Sequence, residues 1–299
     1  MFAGGTTRVQ INYIHAIKNT YLLFKGDANM TMEPALLEKK GHIALITLNR
    51  PEARNSFSPE MLVRLAGHWE EVRDDANIRV AIVTGAGDKA FCSGADLGQL
   101  IPLINGARKP QNEWDQKILA DPNILAKGLL RTFDVTKPVI AAINGFAVAG
   151  GMELAQGTDM RIAADTAKLG VQEVKWAIFP GGGSTVRLPR QIPYARAMEL
   201  LLTGDLISAQ EAYDLGVLNR VVPQNQVLDA AFELAEKIAA NGPIAVQAIR
   251  KSARECLGRP ESEAMGMESR FAAPVFKTED AREGPKAFME KRRPNYKGR

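Results

Sequence analysis

Cysteine and histidine are scarce: the 299-residue chain holds two cysteines, Cys92 and Cys256, and three histidines, His15, His42 and His68. Two cysteines cannot build a disulfide framework or a four-thiolate zinc site, and no histidine pair has the spacing that sets two imidazoles on one helical face. No metal ligand set is expected. Long apolar runs are also missing. The longest uncharged stretch, residues 138–152, is interrupted by Asn144 and glycines and falls short of the roughly 20 apolar residues a spanning helix needs. No membrane span is therefore expected. Charge of one sign is not in excess either: 38 Lys+Arg against 34 Asp+Glu leave a net charge of +4. The best basic cluster, Lys286, Lys291, Arg292, Arg293, Lys297 and Arg299, sits in a C-terminal segment that reads as a solvated helix, so a nucleic-acid partner is not favoured.

What is present is an ordinary globular composition, 45% hydrophobic and 24% charged, which excludes disordered, collagenous and coiled-coil classes. At roughly 150 residues per domain the length allows two compact units or one large one. Residues 1–32 carry no sustained apolar stretch and no small-residue cleavage pattern. They read as an extension outside the main fold or as an over-called start, with Met30 and Met32 as alternative starts. Ile11, Ile14 and Ile17 could instead mark a short docking helix. Without a secretory signal a cytoplasmic location is expected.

From Leu36 to Leu48 the pattern is a hairpin that turns at Lys40-Gly41. Ser58 before Pro59 starts a helix whose Leu62, Leu65, Trp69 and Val72 recur at helical spacing. Arg79 to Thr84 is an apolar strand, followed by a glycine-rich loop to Asp96. Residues 102–122 are polar and broken by Pro and Gly, with helical pieces around Trp114. A helix is expected from Asn123 to about Val135, then a buried strand over Val139–Ile143 and a turn at Asn144-Gly145. A short helix begins near Gly150. Met160–Ala163 and Leu169–Val171 read as further strands, and after Pro193 helices dominate. This alternation predicts an α/β layered core with a mostly helical C-terminal third.

Three glycine clusters invite and fail nucleotide or hydrolase readings. The Gly85–Ala90 run continues as loop where a helix should open. Gly145 to Gly150 has P-loop spacing, but Gly151 stands where the phosphate-binding lysine belongs. Gly181-Gly182-Gly183-Ser184 lacks the second glycine of a nucleophile elbow, because Val186 occupies that place. Two of these regions have another use. The backbone N–H groups at Gly94-Ala95, after one strand, and at Gly150-Gly151, opening a helix after another, are free of a ladder. If they converge they form an oxyanion hole, with the positive end of the helix behind it. Glu153, three residues after Gly150, leans back toward that helix end. On spacing alone Glu153 is an ordinary first-turn glutamate, and Glu173 is a helix-start carboxylate.

The runs Phe91-Cys92-Ser93-Gly94-Ala95-Asp96-Leu97, Ile140-Ala141-Ala142-Ile143-Asn144-Gly145 and Ala149-Gly150-Gly151-Met152-Glu153-Leu154 resemble the crotonase superfamily, and within it the enoyl-CoA hydratases. Asn49 to Asn55, Phe179 to Gly183, Leu202-Thr203-Gly204 and Glu283 to Phe288 fit the same resemblance, which covers roughly Leu36 to Arg299. It implies a spiral of repeated ββα turns over residues 33–223 and a helical region, 224–299, that builds trimers, commonly paired into hexamers. It implies that Ala95 and Gly150 supply the oxyanion-hole N–H groups and that Glu153 and Glu173 are the catalytic pair that adds water across a 2-enoyl-CoA. Coenzyme A then enters as part of the substrate, with no permanently bound cofactor. The resemblance further assigns CoA contacts to Ala53, Arg54, Ser93, Asp96 and Leu97, and to Phe288 and Lys291, sometimes from a neighbouring subunit.

The sequence departs from the family pattern in places. Gln172 replaces a common Pro, and Ala149 and Met152 replace Gly and Cys. The stretch 98–122 is longer than in compact members and is expected to line the acyl side. Trp176 is expected in the core, or else as a residue that shortens the acyl pocket. A carnitinyl-CoA-type 3-hydroxyacyl-CoA dehydratase, a Δ3-Δ2 enoyl-CoA isomerase and an RNA-binding relative are the alternatives. Isomerases tend to keep only the later glutamate, so the presence of both favours hydration.

Overall fold

The computed structural model describes residues 33–299. The readings of residues 1–32, with the starts at Met30 or Met32 and the helix through Ile11, Ile14 and Ile17, lie outside the described residues.

Strands β1 (Ala35–Lys40) and β2 (Ile43–Leu48) form the expected antiparallel hairpin, in register from Ala35 opposite Leu48 to Lys40 opposite Ile43. Helix α1 (Pro59–Asp74) starts where the sequence places it: the Ser58 side chain accepts the Met61 N–H at 3.2 Å, and Pro59 opens the first turn. Leu62, Leu65, Trp69 and Val72 are buried, and the Trp69 indole N–H finds the Gly128 carbonyl at 3.1 Å. At the far end Lys137 is buried and donates to the Val72 carbonyl at 2.6 Å, which satisfies a carbonyl the helix itself leaves open.

The chain then winds in repeated ββα units. β3 (Val80–Gly85) joins one sheet and β4 (Ala90–Cys92) another, followed by α2 (Leu100–Ile104), α3 (Glu113–Ala120) and α4 (Asn123–Gly128). β5 (Val139–Ile143) and β6 (Phe146–Val148) repeat the pattern and lead into α5 (Gly150–Gly157). β7 (Met160–Ala164) and β8 (Lys168–Gly170) repeat it again before α6 (Ser184–Gln191) and α7 (Tyr194–Thr203). β9 (Ile207–Ser208), α8 (Ala209–Asp214) and β10 (Arg220–Val222) finish the spiral. The result is a six-stranded sheet ordered β1-β2-β3-β5-β7-β10 and a four-stranded one ordered β4-β6-β8-β9. The inner strands β2, β3 and β5 are buried at every residue, which is why they read as unbroken apolar runs instead of alternating ones. The crotonase-type spiral expected from the sequence is the fold.

α9 (Val227–Ala239) lays Val227, Ala231, Ala235 and Ala239 against the six-stranded sheet. Small residues every fourth position let it approach closely. α10 (Pro243–Cys256), α11 (Glu261–Val275) and α12 (Glu279–Met289) follow.

The structure corrects several local readings. β4 stands where a loop is expected, and β6 follows the Asn144-Gly145 turn where no element is expected, because three residues are too few to show a period of two. The helix expected to run to Val135 stops at Gly128. Beyond it Leu130 turns to a φ of 52°, its carbonyl captured by the Arg187 guanidinium, and Arg250 takes the Asp134 carboxylate at 2.6 Å. Trp176 is not core: it is 65% exposed.

Candidate active site

Two turns meet at the ends of β4 and β6. After β4 the chain passes Phe57, whose N–H donates to the Gly94 carbonyl at 2.8 Å and whose carbonyl accepts the Asp96 N–H at 3.0 Å. That parallel bridge uses the groups flanking Ala95 and turns the Ala95 N–H the opposite way. Gly94 has a φ of 93°, and a methyl group on it would lie 2.8 Å from the Ala149 Cβ and 3.1 Å from the Gly150 nitrogen. Glycine is thus required twice, by the backbone angle and by the contact. The contact brings Ala95 beside Gly150, the first residue of α5, whose N–H has no acceptor within the helix. Both residues line one cavity of about 420 Å³. Cys92, just before this turn, is fully buried, and burial pushes its thiol up to about 12, which removes it as a nucleophile at neutral pH.

Glu153 and Glu173 line the same cavity. Glu153 stands in the first turn of α5 and is 3% exposed. Its Oε1 accepts the Ser184 N–H at 3.1 Å. A methyl group on Gly182 would meet its Oε2 at 2.4 Å, so the carboxylate fits only because residue 182 is glycine. Burial raises the Glu153 pKa, while the amides of Ser184, Gly182 and Gly183 pull it back without cancelling the rise. Glu173 opens a short 3-10 turn, Glu173–Trp176, after β8. It is buried, and its Oε2 has no hydrogen-bond partner among the described residues. Burial first, and the Glu153 charge second, push Glu173 up to about 7. Two carboxylates with different environments face one space beside two N–H donors. That arrangement can hold a polarised carbonyl and move protons on and off a carbon nearby.

The remaining sequence-predicted residues divide. Ser93 and Leu97 line the cavity. Ala53 and Arg54 do not; Arg54 ends the 3-10 turn Pro51–Ala53 in a left-handed conformation, exposed to solvent, with its carbonyl accepting the Ser93 N–H at 3.1 Å. Asp96 is occupied by the protein: it pairs with Arg50 at 3.0 Å and accepts the amides of Gly98 at 2.9 Å and Gln99 at 3.0 Å. Burial pushes its carboxyl up, but Arg50 and those amides outweigh it and hold it below the usual range. Phe288 and Lys291 are exposed on and just after α12 and lie outside this cavity.

α2, within the stretch 98–122, contributes Leu100, Ile101 and Ile104 to the cavity wall. Sequence reasoning missed Gly182 and Ser184 as the residues that seat Glu153; the glycine run before Ser184 was the available signal. It also missed Leu129 and Arg131 in the wall, because the residues after Gly128 read as helix. Trp176 and Phe179, 65% and 72% exposed, complete the cavity on the other side.

Among the described residues no helix is long and apolar enough to cross a membrane, and no cluster of His, Cys, Asp or Glu has a geometry that holds a metal.

The enoyl-CoA hydratase/isomerase family model matches residues 38–299. Enoyl-CoA hydratase EchA19 of Mycobacterium tuberculosis is 46% identical over 89% of this chain and 97% of its own length. The (E)-benzylidenesuccinyl-CoA hydratase of Thauera aromatica is 42% identical over 89% of this chain and 99% of its own. The crystal structure of an enoyl-CoA hydratase from Bacillus anthracis superposes with a TM-score of 0.80 at 40% identity, covering 89% of this chain and 100% of that one.

Proposed function

We infer the reaction from one premise: this chain belongs to the enoyl-CoA hydratase/isomerase family. It is an enoyl-CoA hydratase, adding water reversibly across the 2,3 double bond of a 2-enoyl-CoA thioester. The observation that carries this reading is the pair of buried glutamates, Glu153 and Glu173, lining one cavity with the Ala95 and Gly150 N–H groups.

The thioester carbonyl accepts both N–H groups. Glu153, held by the Ser184 amide, orients a water and takes its proton as the oxygen bonds to C3. The π electrons of the double bond move toward C1, and negative charge builds on the thioester oxygen as an enolate. Glu173, whose carboxyl keeps its proton up to about pH 7, delivers that proton to C2. One proton has then moved from water to Glu153 and another from Glu173 to carbon. Transfer between the two acids, directly or through solvent, resets the site. Water and two carboxylates balance the chemistry, so coenzyme A enters only as part of the substrate and no permanent cofactor is needed. A hole of this kind contributes most where charge develops; loss of one donor costs about 2.7–4 kcal/mol in comparable sites.

Ala53, Arg54, Ser93 and Leu97 are the CoA side of the site in this reading. Phe288 and Lys291, which do not line the cavity, reach the CoA of a neighbouring subunit in a trimer or hexamer. Glu153→Gln and Glu173→Gln test the assignment. Each should lower hydration of crotonyl-CoA by about 10²–10⁴-fold while leaving the far-ultraviolet spectrum and the unfolding transition cooperative. Full activity in both variants contradicts the reading.

A further inference from the structure

Arg131 is the one cation lining the cavity among the described residues and, Glu153 and Glu173 aside, its one charged group. Leu100, Ile104, Leu125 and Leu129 are among the apolar residues that line the same cavity. Its backbone is fixed at both ends: the N–H donates to the Ala126 carbonyl at 2.7 Å, and its own carbonyl accepts from Arg187 at 3.3 Å. The preceding Leu130 is buried and anchored to the same Arg187. The side chain is exposed to solvent at the cavity wall, and its guanidinium has no hydrogen-bond partner among the described residues. Asp134, the nearest acid in sequence, is taken by Arg250 at 2.6 Å, and Arg131 makes no ion pair among the described residues.

The segment that carries Arg131 reaches the reacting end through Leu129. Leu129, two residues earlier, touches the same point as Glu153, since a methyl group on Gly182 would meet the Leu129 Cδ1 at 2.9 Å and the Glu153 Oε2 at 2.4 Å. A neutral acyl chain gains nothing from a cation at this wall. An acyl group ending in a carboxylate faces the opposite situation. It enters a cavity that already holds two acids, and it is repelled unless a counter-charge is present. A guanidinium supplies that charge with two parallel donors matched to a carboxylate. A quaternary ammonium tail would meet the like charge of Arg131, which argues against a carnitinyl-type substrate.

We propose that Arg131 sets acyl specificity by selecting 2-enoyl-CoA thioesters whose acyl group carries a second, free carboxylate. The proposal rests on the hydratase reading of the same cavity.

The test compares 2-enedioyl-CoA thioesters of increasing chain length with uncharged 2-enoyl-CoA thioesters of the same length, in the wild type, Arg131→Gln and Arg131→Lys. The wild type should have the higher kcat/KM for the carboxylate-bearing member at one or more lengths. Arg131→Gln should lower that discrimination ratio by roughly 10- to 100-fold, the worth of a hydrogen bond to a charged group, and Arg131→Lys should retain most of it. A wild type that hydrates the uncharged series and shows no preference at any length overturns the proposal without recourse to a variant. Equal losses on both series in Arg131→Gln also overturn it, since they assign Arg131 to the CoA part or to the fold. A wild type that hydrates neither series removes the hydratase reading, and the proposal with it.

Discussion

Glu173 keeps its proton to about pH 7, whereas an ordinary glutamate loses it near 4.5. A folded-state pKa above the unfolded one means that the folded chain binds the proton more tightly. The stability this provides is complete below about 4.5 and is lost as pH rises through about 7. At neutral pH and above, the native state therefore carries a buried carboxylate at a cost that glutamine does not incur. Glu173→Gln should raise stability by about 1–3 kcal/mol at pH 8 and change it little near pH 4.5, as measured by urea unfolding at the two pH values. An equal shift at both would show that ionisation is not its source. At this scale the sequence was partly legible. The spacing from Gly150 to Glu153 follows from helix geometry, but the raised pKa of Glu173 comes from burial and then from the charge of Glu153, 20 residues away in sequence, neither of which leaves a local mark. Arg131 was hidden for a similar reason, since its exposure to the cavity depends on a turn held by Arg187.

α5 shows the same division among elements. Its start at Gly150 and its Glu153 were readable, yet its cap is unusual: Ala149 sits at φ 52° and ψ −126°, a region that favours glycine. The family pattern has glycine there. Strain of about 1–3 kcal/mol is opposed by the roughly 0.5–1 kcal/mol of chain entropy that glycine adds to the unfolded state. Ala149→Gly should thus stabilise the protein by about 1 kcal/mol, visible as a higher denaturation midpoint with an unchanged slope; a lower midpoint would mean the angle is not strained. The longer elements, α1 and β1 to β3, were legible because a cap, a turn or an apolar run signals each one. β4 and β6 were not, being three residues long. β10 was missed because it reads as a link between helices, and it is made a strand only by pairing with β7.

Over the whole molecule, the spiral follows from the family resemblance that the motif runs carry, whereas the arrangement of the last helices does not follow from their periodicity. α10 to α12 leave Ile249, Leu257, Met265, Phe276, Phe288 and Met289 exposed on a single chain. Apolar surface of this extent suits contact with other copies. Light scattering should give three or six protomers in solution, and a monomer at micromolar concentration would contradict the proposed assembly and the reach of Phe288 and Lys291 toward a neighbouring site. Two glutamates in this fold add water to an activated double bond. Turnover of crotonyl-CoA in heavy-oxygen water, followed by mass spectrometry of the product, tests it most directly. The wild-type product should carry one labelled oxygen at C3, and its formation should be lost in Glu153→Gln and Glu173→Gln. An unlabelled product of the substrate's own mass, or labelled product formed at full rate by both variants, would contradict it.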